Sequence, residues 1–141
     1  MKTYKGIITE LPPNGIFVFG SNTQGRHGLG AAKVAREKFG AKYGQASGRQ
    51  GQSYAIITKD LTKKIHPSVD RRDIELQITH LYKYAEDTPD LDFYIAYSAG
   101  GKNLNGYSSQ EMANMFTIIW DSWNIPENII FEEEFAKLIA V

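Results

Sequence analysis

The sequence predicts an α/β domain built on a mostly parallel sheet with helices on both faces. Three observations carry this. Short β-branched and aromatic runs alternate with longer amphipathic stretches along the whole chain. The strand-like runs are continuously apolar, as suits strands covered on both faces. Polar, glycine-rich segments follow three of them, and a parallel sheet gathers such segments at one edge. The 141 residues suit a single domain spanning 1–141.

The first clear strand is Ile16-Phe17-Val18-Phe19, bounded by Pro12-Pro13-Asn14-Gly15 and by Gly20. A glycine-rich stretch from Gly20 to Gly30 leads into a helix over Ala31–Phe39, with Gly40 where a C-terminal cap is expected. A second such stretch, Gly44 to Gly51, precedes the strand Tyr54–Thr58. After Pro67, Ser68 is placed to cap a helix whose first turn carries Asp70 and Asp73. In that helix Ile74, Ile78, Leu81, Tyr82 and Ala85 share one face. Phe93–Tyr97 reads as a third strand and Ser98–Tyr107 as a third polar loop. Ser108-Ser109-Gln110-Glu111 is a capping box, in which hydroxyl and carboxylate each satisfy an otherwise orphan backbone N–H. Met112, Met115, Phe116, Ile119 and Trp123 then recur at helical spacing, up to Pro126. Ile129-Ile130-Phe131 is a last strand, Phe135–Val141 a short helix or tail, and Lys5–Ile8 a candidate extra strand.

Sixteen basic residues balance sixteen acidic ones, so net charge supplies no general attraction to nucleic acid or anionic membrane. No apolar run approaches the roughly 20 residues that span a bilayer. The N-terminus lacks the long apolar core of a signal peptide, and the expected location is the cytoplasm, or host cytoplasm if the chain is phage-encoded. There is no cysteine, which removes thiolate metal sites and a cysteine nucleophile. His27, His66 and His80 share no ligand spacing, so neither metal nor cofactor is expected. Glu132-Glu133-Glu134 reads as a solvated face.

The chemistry is concentrated in the loops. Four glycines between Gly20 and Gly30 let the backbone turn and approach a ligand closely. The helix beyond them offers free N–H groups and the positive end of its dipole, which suit phosphate. Arg26 and His27 add cationic donors, and Asn22 can bond a ribose hydroxyl. A long structural turn would read the same way, and neither the Walker nor the dinucleotide fingerprint is present in register. In the third loop Gly100-Gly101 can form an anion nest, Lys102 adds charge, and Tyr107 either stacks on a base or packs on the next helix. The second loop either borders the site or is a mobile connection.

Ile16 to Asn22, Gly25-Arg26-His27-Gly28-Leu29-Gly30-Ala31-Ala32, Gly51 to Asp60, and Tyr97 to Tyr107 followed by Ser109 to Ala113 resemble a group of bacterial and phage macro-domain-like proteins. The likeness runs from about Gly15 to Ile130. It implies a three-layer α/β/α macro-domain-like fold with a mixed, mostly parallel sheet, and binding of ADP-ribose or a related phosphate-bearing nucleotide. Some macro domains also remove ADP-ribose from proteins or nucleic acids. By this resemblance Asn22 contacts the distal ribose, Gly28 and Gly30 flank the diphosphate and distal ribose, and Gly100 and Gly101 wrap the other side of the phosphates. Gly20-Ser21-Asn22 stands where active hydrolases carry a doubled Asn, and the acid that holds adenine has no counterpart. The expected site therefore comprises Gly20, Ser21, Asn22, Arg26, His27, Gly28 and Gly30 with Gly100, Gly101, Lys102, Asn105 and Tyr107. Were ADP-ribosyl hydrolysis to occur, Asn22 would be its catalytic residue, orienting ribose and water. The alternative is an interaction or signal-sequestering protein without turnover.

Overall fold

The computed structural model describes residues 1–97, 103–117 and 124–139. Its elements are β1 (Thr3–Tyr4), β2 (Gly15–Asn22), α1 (Gly30–Lys38), β3 (Gly48–Gln50), β4 (Ser53–Lys59), α2 (Arg71–Asp87), β5 (Asp92–Ile95), α3 (Ser109–Thr117), β6 (Ile129–Glu132) and α4 (Glu133–Ile139). One six-stranded sheet has the order β1-β6-β5-β2-β4-β3. Every neighbouring pair is parallel except β3 with β4.

Alternation along β2 sorts the core into two layers. Phe17 and Phe19 point to one face and pack with Ala32, Ala35 and Phe39 of α1 and the segment after it. The alanines let α1 lie close, and the Phe17 and Phe39 rings sit 5.0 Å apart. Ile16 and Val18 point to the other face, where α2, α3 and α4 cover Phe93, Ile95, Ile129 and Phe131. Each such fully buried phenylalanine contributes on the order of 1.5–3 kcal/mol. The chain is thus a three-layer α/β/α domain with a mixed, mostly parallel sheet, as the alternating pattern predicts.

Several boundaries differ from the sequence reading. The extra N-terminal strand is Thr3–Tyr4, and Lys5–Ile8 is irregular. A short antiparallel strand, β3, lies inside the second glycine-rich stretch. Asp70, not Ser68, caps α2, accepting from the Arg72 N–H at 3.2 Å. Glu132 is buried rather than solvated, and its carboxylate accepts from the Glu134 N–H at the start of α4. The capping box is present: Ser108 Oγ accepts from the Glu111 N–H at 3.1 Å, and Glu111 Oε1 from the Ser108 N–H at 2.9 Å. Ile119 and Trp123 lie outside the described residues.

The topology fixes where loops converge. From β2 the chain crosses through α1 toward β4, while from β5 it crosses on the opposite face toward β6. The order reverses between β2 and β5, and a switch of this kind leaves a crevice at the carboxyl ends of the two strands.

Candidate functional site

Three loops meet at that edge: 23–29 after β2, 60–70 after β4, and the loop after β5, of which 103–107 are described together with its start at Ala96 and Tyr97. The first begins at an irregularity in the β2–β4 register between Ser21 and Asn22. Such irregularities bend a strand end and redirect the chain beyond it.

Asn22 is buried and its amide is spent on the loop. Oδ1 accepts from the Arg26 N–H at 2.9 Å and from the Gln24 N–H at 3.3 Å, while Nδ2 donates to the Arg26 carbonyl at 2.8 Å. The turn it closes contains Gly25, at φ +65°, where a Cβ would lie 2.6 Å from the Gly44 carbonyl carbon. The Gly44 N–H donates to the Gly25 carbonyl at 2.8 Å, so the second loop docks on the first.

His27 is fully buried beneath this turn. Its Nε2 lies 3.0 Å from the Gln45 carbonyl, an acceptor only, so Nε2 carries the hydrogen. Its ring meets Phe19 edge-on at 5.1 Å. His27 Nδ1 and Ser21 Oγ are buried without hydrogen-bond partners. Ser21 and His27 therefore form the floor of the first loop. The reason is the strand period, which turns Ser21 to the same face as Phe19.

Thr23, Gln24, Arg26, Gly28 and Leu29 of the first loop are exposed, as is Gly30 at the helix start. Gly20, at the end of β2, is exposed as well, and a Cβ there would lie 2.9 Å from Thr58 Oγ1. Leu29 is the N-cap of α1 in extended conformation, gives no side-chain cap, and the first turn holds no acid. The helix start thus keeps backbone N–H donors and a positive dipole end without a built-in anion.

In the third loop Gly100, Gly101 and Lys102 lie outside the described residues. Asn105 is buried and closes its own turn, with Oδ1 accepting from the Tyr107 N–H at 2.9 Å. The Tyr107 hydroxyl donates to the Val69 carbonyl at 2.7 Å, and its ring packs against the main core. Burial, with the charges of Asp70 and Glu111 beside it, raises its pKa and keeps the donor protonated. Tyr107 thus takes the packing role. Gly106, at φ +88°, lets the loop touch the next one, since a Cβ would lie 2.5 Å from Pro67 N. Across the crevice Leu104 Cδ1 lies 3.3 Å from the position of a Gly30 Cβ. Leu104 and Leu29 were missed by the sequence reading. Their signal is a lone large aliphatic residue among turn formers, on no element that could bury it.

A cavity of about 300 Å³ lies elsewhere, between the N-terminal segment and Tyr94, walled chiefly by Tyr4, Ile7, Ile8, Leu11 and Pro12. None of the site residues named from the sequence lines it. Among the described residues no group of three or more acidic or histidine side chains is placed to hold a metal ion, and no helix is long and apolar enough to cross a membrane. In comparisons with known proteins, no family model, curated protein or solved structure matches the chain.

Proposed function

We propose that the chain binds ADP-ribose or a related phosphate-bearing nucleotide at the carboxyl edge, in the crevice between β2 and β5. The observation that carries this reading is the start of α1. Its first turn lies at the strand-order switch, lacks both a side-chain cap and an acid, and is approached by exposed Gly28 and Gly30. Backbone donors at a helix N-terminus recognise phosphate without further machinery. Lys33, in the first turn, and Arg26, in the loop before it, are the charged side chains nearest in sequence to these donors, and both are exposed. Leu29 and Leu104 offer aliphatic flanks to a sugar or base. Macro-domain resemblance in the loop sequences supports the same ligand class.

Binding is proposed without a catalytic step. Asn22, the candidate for orienting ribose and water, has both lone pairs of its oxygen committed to backbone N–H groups. Its role is to hold the loop whose helix end meets the phosphate.

Calorimetry with ADP-ribose, AMP, NAD and cyclic ADP-ribose tests the reading, with a product assay run on the same samples. Saturable binding of at least one ligand, without turnover, is expected. No binding to any of them would refute it, and turnover would restore Asn22 to a catalytic role.

A further inference from the structure

The loop after β4 is a compact Ω-shaped turn whose ends are tied together. The Asp60 N–H donates to Ser68 Oγ at 2.8 Å, and His66 Nδ1 meets the same hydroxyl at 2.6 Å. Inside it Asp60 Oδ1 accepts from both the N–H and the hydroxyl of Thr62, at 2.9 and 2.6 Å. The Lys63 N–H closes on the Asp60 carbonyl at 3.1 Å. Outside it the Leu61 N–H donates to Thr23 Oγ1 at 3.2 Å, and Gly106 packs on the His66–Pro67 backbone. This much hydrogen bonding holds the loop in one shape.

At its tip stand Lys63, Lys64 and Ile65. Ile65 is 82% exposed, and both lysines are exposed with no ion pair among the described residues. Leu104, 61% exposed, belongs to the loop that packs against the same turn through Gly106. A fixed loop that displays an aliphatic side chain beside two exposed lysines loses little entropy on docking. Compact turns of this kind are frequently functional.

We propose that the tip Lys63-Lys64-Ile65, continued by Leu104, is a docking ridge for an acidic protein segment carrying an exposed aliphatic side chain. Charge complementarity selects the sign of the partner: both lysines are exposed with no ion pair among the described residues, while the carboxylate of the near acid, Asp60, is hydrogen-bonded to Thr62. The aliphatic character selects a protein over single-stranded nucleic acid, for which aromatic stacking platforms are the usual reader. Two lysines and two aliphatic side chains fall short of the combined anchors that stable membrane attachment takes. The ridge does not depend on the nucleotide reading, and a failed ADP-ribose titration leaves it standing.

The test is titration of the ¹⁵N-labelled full chain with a short synthetic peptide of alternating glutamate and leucine. Comparison probes are the same peptide with serine for leucine, a single-stranded oligonucleotide, and vesicles rich in anionic lipid. Saturable shifts at Lys63, Lys64, Ile65 and Leu104 are expected with the leucine peptide alone. Ile65→Asp and Lys64→Glu should each weaken it roughly tenfold or more. Because Ile65 is so exposed, Ile65→Ser serves as a second variant that leaves the core intact. Leu76→Asp, at another exposed leucine on α2, should bind as the parent does. Equal binding of the serine peptide, the oligonucleotide or the vesicles would overturn the proposal, as would no saturable binding or unchanged affinity in both Ile65 variants.

Discussion

A glutamate at position 28 separates the stability of the first loop from its affinity for phosphate, because the two should move in opposite directions. Gly28 does not have positive φ, and a Cβ built there meets nothing within 4 Å. A side chain therefore fits without strain. Position 28 precedes the N-cap Leu29 of α1, whose first turn has no acid. A carboxylate there gains about 0.3–1 kcal/mol from the helix dipole, and loss of glycine freedom in the unfolded chain adds about 0.4–1 kcal/mol. The variant should unfold a few degrees higher.

A diphosphate seated on the same N–H groups would meet the new charge at about 6 Å. Two charge pairs at that distance cost about 1.4 kcal/mol at the dielectric of water and about 3 kcal/mol at half of it. Affinity for ADP-ribose should therefore fall roughly ten- to hundredfold, and less at high salt. Gly28→Gln has nearly the same shape without the charge, so the Glu–Gln difference isolates the electrostatic effect. Calorimetry at two salt concentrations, with thermal melts of all three proteins, reads both quantities. Equal affinities of the Glu and Gln variants would remove the phosphate from the start of α1. Gly30→Glu is a poorer probe, since φ +56° strains any side chain there and its Cβ would press on Leu104.

Asn22→Ala should lower stability by about 1–3 kcal/mol in urea unfolding and weaken ADP-ribose and AMP alike, because the turn itself loosens. A loss confined to ADP-ribose at unchanged stability would instead place the amide on the distal ribose. Ser21→Ala should leave stability unchanged or raise it, since the buried hydroxyl has no partner to lose; a fall in denaturation midpoint would show that it does. Asp60 has its pKa lowered from 3.8, first by the Thr62 hydroxyl, then by the Thr62 N–H and by Lys63. Its contribution is present above its unfolded value and lost as pH falls through the lower folded value. A proton titration followed by NMR should find Asp60 below 3.8, moving up toward it in Thr62→Val; an unmoved value would exclude the hydroxyl as the cause.

The fold was legible where one signal sufficed. The continuous apolar run Ile16–Phe19 marks a central strand, and the Ser108–Glu111 box marks a helix start because its two hydrogen bonds are local in sequence. Side chains whose roles are set across the molecule were not legible. His27 reads as a loop cation, yet its partners Gln45 and Phe19 come from another loop and from β2. Tyr107 finds its acceptor at Val69, 38 positions away. Asp70 displaces Ser68 as a cap because Ser68 is drawn to Asp60 and His66 across the Ω-turn. The glycines at 25 and 106 were visible as turn formers, but their reason, neighbouring backbone that a Cβ would meet at under 3 Å, appears only once the loops are assembled.

Net charge is the other place where sequence and structure part. A balanced total argues against attraction to polyanions, but the total does not describe a molecule whose strands run parallel. The starts of α1 and α2, and of α3 beyond the β5 loop, follow strand carboxyl ends, so their positive dipole ends gather at one edge. Around them residues 59–73 carry five basic and three acidic side chains, and Arg26 stands on the neighbouring loop. One of those acids, Asp60, is bonded to Thr62, and another, Asp70, caps α2. At the opposite edge, between α2 and β5, residues 86–92 carry four acids and no base. A neutral chain with this separation has a field that draws anions to the β2–β5 crevice over about a Debye length, roughly 8 Å at physiological salt. Proposed nucleotide and proposed acidic partner would both approach along that field. Their association rates should fall together as salt rises.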